Sequence, residues 1–123
     1  MINLPIFRAK SNEQKNTYVE GLLIGVDEEL NLCTIRTKDD YIGGEICYLH
    51  TLSINFPNML SIQGNKIFAS LSENGKGGDI LFDIEYEYTL SFDGLKFNLQ
   101  GLFSQTSFNE FDRWEDFDII GIE

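Results

Sequence analysis

Cys47 and His50 stand in a C-x-x-H spacing, the place where this chain comes nearest to a metal-ligating motif. A structural zinc site takes four nitrogen or sulfur ligands. The sequence holds only Cys33, Cys47 and His50 of those types, so the set falls short and two small core thiols are the expected reading. With His50 as the sole histidine, most acid–base schemes and triads that rely on imidazole are removed. His50 is expected at the end of a strand over Glu45–Leu49. Gly75-Lys76-Gly77-Gly78 invites comparison with a phosphate loop, but a glycine follows the lysine and Ser70 stands where the first glycine belongs. Asp27-Glu28-Glu29 and Asp39-Asp40 lack the alternation and central glycine of a calcium loop and are expected as solvated turn acids. No two of the twenty acids are singled out as a glycosidase pair. No catalytic residue, cofactor or metal site is therefore expected.

The elements that would position any site follow from composition and periodicity. A chain of 123 residues with 42% hydrophobic and 13% aromatic residues suits one domain with a real core, over 1–123. Its net charge is −11, and residues 83–123 hold ten of the acids against two bases. Nucleic-acid affinity comes mainly from Lys and Arg, so direct nucleic-acid binding is not expected. No apolar run approaches the ~20 residues of a membrane span, and Met1–Lys10 has no signal-peptide core. Neither a membrane nor export is expected, and the cytoplasm is the expected location.

Phe82, Ile84, Tyr86, Tyr88, Leu90 and Phe92 alternate with polar residues, the pattern of one strand with a buried and a wet face. Asp93-Gly94 then predicts a two-residue hairpin turn, setting Phe92 opposite Leu95, Leu90 opposite Phe97 and Tyr88 opposite Leu99. A second hairpin is expected from Tyr18–Ile24 and Leu30–Arg36, with further strands at Glu45–Leu49, Lys66–Leu71 and Phe117–Ile122. Ser72 to Asp79 offers little to bury and predicts an exposed, mobile loop around Asn74, Gly75, Lys76 and Gly77. Ser107 and Glu110 have capping-box spacing, which predicts a short helix at 107–113. The fold class expected is all-β, mainly antiparallel: a small, partly open β-barrel with that one short C-terminal helix.

Two surfaces are candidates for function. Phe103, Phe108, Phe111 and Trp114 crowd a segment too short to hide them all, which suggests an oligomer or partner surface. Asp83, Glu85 and Glu87 would sit ~6.6–7 Å apart along one strand face, an acidic row that suits either solubility or imitation of a phosphate backbone.

Several short motifs, in order, carry a family resemblance. They are Ile6-Phe7-Arg8-Ala9-Lys10, then Tyr18-Val19 with Gly21 and Leu23, then Thr51-Leu52-Ser53 with Phe56. Gly64, Lys66-Ile67-Phe68 and Gly78-Asp79-Ile80 follow, and Phe117-Asp118-Ile119-Ile120-Gly121 closes the series. In this the chain resembles the YopX family, small proteins encoded by phages and prophages. One departure is the stretch Ala69 to Lys76, which intervenes where the family's aromatic runs almost directly into Gly-Asp. The resemblance implies a mostly β, barrel-like fold and a phage or prophage origin, and supplies no activity or catalytic residues. The expected function is a non-enzymatic module acting through protein contacts, as a homo-oligomer or on a bacterial host protein. The alternatives are an acidic decoy that occupies the site of a host nucleic-acid-binding protein, and an enzyme of unknown type with two converging carboxylates.

Overall fold

The computed structural model describes residues 4–37, 43–72, 76–83, 86–101 and 114–123, and the backbone of 105–108. Its strands are β1 (Ile6–Lys10), β2 (Tyr18–Asp27), β3 (Leu32–Arg36), β4 (Glu45–Tyr48), β5 (Ser53–Asn55), β6 (Ala69–Ser70), β7 (Asp79–Phe82), β8 (Glu87–Phe92), β9 (Phe97–Gly101), β10 (Gln105–Phe108) and β11 (Asp118–Ile122). The sheet runs in the order β10-β9-β8-β6-β5-β1-β2-β3-β4, while β7 joins β8 and carries β11. Every pairing is antiparallel except the contact of β6 with β8. A bridge between Ser11 and Cys47 brings the end of β1 back onto β4, and the sheet curls into a half-barrel. The fold is all-β, as the period-two patterning required. No helix among the described residues is long and apolar enough to cross a membrane.

Two hydrophobic clusters fill the curl. One gathers Ile54, Met59, Ile67, Ala69, Leu81, Leu90, Leu99, Trp114 and Phe117; the other gathers Ala9, Val19, Cys33, Ile35, Cys47 and Leu52. Phe7, on the central strand β1, packs against both.

The hairpin expected from residues 18–36 is present, with Asp27 opposite Leu32. Asp27 accepts the Leu30 N–H, and Asn31 takes a positive φ. A bulge between Leu23 and Gly25 re-aims β2 halfway along.

The long alternation is corrected in two ways. Residues 82–92 do not form one strand: β7 and β8 pair with each other, Phe82 opposite Glu87 and Leu81 opposite Tyr88. The chain reverses between them, where the Tyr86 carbonyl accepts the Asp83 N–H and the Asp83 carboxylate accepts the Tyr86 N–H. Reversal changes which parity points inward. Leu81 is fully buried on β7, Leu90 fully buried on β8, and Phe82 turns outward. The β8–β9 register also differs from the expected one: Phe92 faces Phe97 and Leu90 faces Leu99. The Asp93 carboxylate accepts both the Leu95 and Lys96 N–H groups, which makes a four-residue connection. The shift is two residues, so every side chain keeps its face. Leu95, expected opposite Phe92, lies in the turn at 89% exposure.

The helix expected at 107–113 is replaced where the structure describes it. Ser107 and Phe108 are extended in β10, opposite Asn98 and Phe97, and the nearest helical residues form a single 3₁₀ turn, Trp114–Asp116. Pairing with β9 satisfies the backbone along its length, an alternative that a local capping-box spacing does not weigh. The run expected over Lys66–Leu71 contracts to the two residues of β6.

Candidate functional site

Among the described residues, a buried ion pair joins two segments that the sequence did not mark as partners. Arg8, on β1, donates from Nη2 to Asp79 Oδ1 at 2.7 Å and to the Gly77 carbonyl at 2.9 Å. Its guanidinium lies 4.4 Å from the centre of the Phe68 ring and 5.6 Å from that of Tyr18. Asp79 Oδ2 accepts the Phe68 N–H at 2.8 Å. Burial pushes the Asp79 carboxyl above its usual range, against the pull of Arg8. Taking the pair out of water carries such a penalty generally. The quoted motifs around Arg8, Phe68 and Asp79 thus converge in space on one joint. They tie β1 to the segment entering β7: Arg8 Nη2 and both Asp79 carboxylate oxygens are hydrogen-bonded, while Arg8 Nε is buried without a partner among the described residues.

The loop expected to be exposed and mobile is part of this joint. Asn74 and Gly75 lie outside the described residues, and Lys76 is exposed. Gly77 is buried, with φ +79°, and an added Cβ would stand 1.8 Å from the Thr51 carbonyl oxygen. Both its backbone conformation and its close approach require glycine. Asp79, expected at the loop's end, is a buried residue of β7. A run of small polar residues looked unburiable because the stabilising partner, Arg8, is distant in sequence.

Cys33 and Cys47 are free, buried and directly opposite each other on β3 and β4. Burial raises both thiols, and Cys47 reaches about 12 with smaller contributions from Cys33, Glu45 and Glu13. Such thiols are poor nucleophiles and poor metal ligands, because the thiolate is the reactive form. His50 lies in the 3₁₀ turn Leu49–Thr51 that follows β4. Its Nδ1 is 2.7 Å from Asn31 Nδ2, and its N–H donates to Asn31 Oδ1, so it latches the β2–β3 turn. Among the described residues no group of three or more His, Cys, Asp or Glu is placed to hold a metal ion.

The aromatic candidates divide. Trp114 is 5% exposed and stacks edge-on to Phe97 at 5.0 Å, so it belongs to the core and is unavailable to a partner. Phe103 and Phe111 lie outside the described residues, as does the side chain of Phe108. The acidic row is broken by the reversal: Asp83 caps the turn, Glu87 stands on β8, and Glu85 lies outside the described residues. Asp83 and Glu87 therefore share no single strand face.

Exposed apolar side chains appear where the periodicity raised no alarm. Leu22 is 48% exposed and Ile24 44% exposed on β2, and Ile46 is exposed on β4. By register Leu22 pairs with Arg36, while Ile46 pairs with Thr34 and Thr34 with Gly25. Arg36 is exposed and Ile35 and Cys33 point into the core, so these positions form the outer side. The bulge carries Ile24 onto that margin. The apolar run Leu22-Leu23-Ile24 gave no hint of it, since a bulge moves residues from one face to the other without changing their type.

No family model matches the chain, and no curated protein or solved structure matches it either.

Proposed function

We propose that this protein is a non-enzymatic interaction module, of phage or prophage type, that acts in the bacterial cytoplasm and self-associates through the outer side of β2–β4. The observation that carries the reading is the set of exposed apolar residues Leu22, Ile24 and Ile46. A chain of net charge −11 resists contact with a second copy wherever its acids face each other. The cross-strand partners on this side are Gly25, Thr34 and Arg36, while Glu20 stands two residues from Leu22 on β2 and the Glu13 carboxylate accepts the Ile46 N–H at 3.4 Å. A second copy covers Leu22, Ile24 and Ile46 there, with Arg36 opposite Leu22 to offset the nearby acids. The poverty of reactive groups supports the non-enzymatic part, and the ordered motifs described above support the phage-type origin. The decoy reading asked for a straight row of carboxylates, and the arrangement of Asp83 and Glu87 lends it no support.

Light scattering at high micromolar concentration tests the proposal. The natural chain is expected at twice the mass of one chain, and Leu22→Lys with Ile46→Lys at the mass of one, with unchanged circular dichroism. A strict monomer for the natural chain sinks the self-association.

A further inference from the structure

The reversal between β7 and β8 places an aromatic ring where the sequence pattern would bury it. Phe82 stands opposite Asp118 of β11 on one side and Glu87 of β8 on the other. Directly opposed residues share a face with Cβ atoms ~4.5–5.5 Å apart, so the phenyl ring, 38% exposed, lies between two carboxylates. Beside it, the bulge in β11 leaves Ile120 48% exposed. Tyr86 is exposed at the adjoining turn. Neither Glu87 nor Asp118 has a salt-bridge partner among the described residues.

We propose that this face of β11–β7–β8 docks an extended segment of a basic protein in which Lys or Arg alternates with an apolar residue. Charge complementarity argues for that occupant. A second copy presenting the same face would set Glu87 and Asp118 against its own Glu87 and Asp118, and like charges directly juxtaposed are repulsive. A cation has three favourable partners here: the ring face of Phe82 and the carboxylates of Glu87 and Asp118, which accept charge-assisted hydrogen bonds. An apolar neighbour in the segment covers Ile120 and removes its surface from water. The extended form follows from the surface itself, whose rows of partners lie along and across strands. This docking does not rest on self-association through β2–β4, and either can fail alone.

The test is a titration of the full chain, followed by amide shifts in NMR, with two hexapeptides: one alternating lysine with leucine, the other lysine with serine. The leucine peptide is expected to bind about tenfold more tightly at ~0.15 M salt, because screening weakens the charged contacts and leaves the apolar ones. Phe82→Ser is expected to lose about tenfold in affinity and Glu87→Lys more than that. Glu28→Gln with Glu29→Gln removes charge at the β2–β3 turn and is expected to change affinity by less than about twofold. Equal binding of both peptides overturns the proposal, as does an equal loss from the Glu28/Glu29 variant or the absence of shifts around Phe82. Should Phe82→Ser fail to fold, Glu87→Lys, at an exposed position, decides alone.

Discussion

The two hydrophobic clusters are built differently, although one strand serves both. Around Leu90 and Leu99 the core is aromatic: Phe56, Phe92, Phe97 and Trp114 meet edge to face, with centroids 5.0–6.0 Å apart in the Phe56–Phe92, Phe56–Phe97 and Phe97–Trp114 pairs. Around Ile35 the core is small, filled by Ala9, Val19, two thiols and Leu52, with Phe7 packed against it. Large rings consume apolar surface from several strands at once. A core of small residues covers less, and the β2–β3 hairpin outruns it: Leu22, Ile24, Val26 and Leu30 are all exposed. Apolar surface is therefore left over at the end of the molecule with the smaller core. Near the larger core, an apolar side chain such as Phe82 stands between two acids instead.

The joint between the clusters is where the contrast breaks most sharply. Asp79→Ala leaves the Arg8 guanidinium buried without its anion and the Phe68 N–H without its acceptor. A loss of about 3–5 kcal/mol is expected in denaturant unfolding. Adding Arg8→Met is expected to restore part of it, since the uncompensated charge goes too; strict additivity of the two would mean that the pair is not coupled. Next in size, Leu90→Ala opens a cavity in the aromatic core and is expected to cost about 2–5 kcal/mol, while Leu22→Ala on the exposed face stays within about 0.5 kcal/mol at monomer concentrations. Comparable losses at both positions would show that Leu22 is buried.

The smallest effect sharpens the other core. Cys33 and Cys47 are expected to resist a thiol reagent in the folded protein near neutral pH and to react fully once it is unfolded. Because the folded Cys47 thiol is held up at about 12, above the ~8.5 of an unfolded cysteine, its contribution to stability is present below that lower value. It is lost as pH rises from there toward the folded one. Rapid labelling of the native protein would contradict the buried placement.

Much of the fold was legible before any coordinates. The 18–36 hairpin declared itself through two apolar runs and a polar turn, and β8–β9 through alternation closed by Asp93-Gly94. The candidate surfaces were less so. Trp114 reads as a surplus ring only until Phe97 is known to stand beside it, and the outward Leu22 and Ile24 carry the same letters as core residues. Arg8 and Asp79 are separated by 71 positions, so nothing local marks them as a pair.

By itself, then, the sequence determined that the chain is built of strands, since side-chain alternation is a property of the local backbone, and that it offers only three side chains, Cys33, Cys47 and His50, of the nitrogen and sulfur types a structural zinc site takes. Only the tertiary structure decided where each strand ends and which way it faces. A reversal of direction at residues 83–86 exchanges inner and outer parity without disturbing the pattern of letters. A slip of two residues at 93–96 preserves parity altogether. Both outcomes were chosen by turn hydrogen bonds and by partners distant along the chain, which is why Phe82 ends in water and Asp79 in the core.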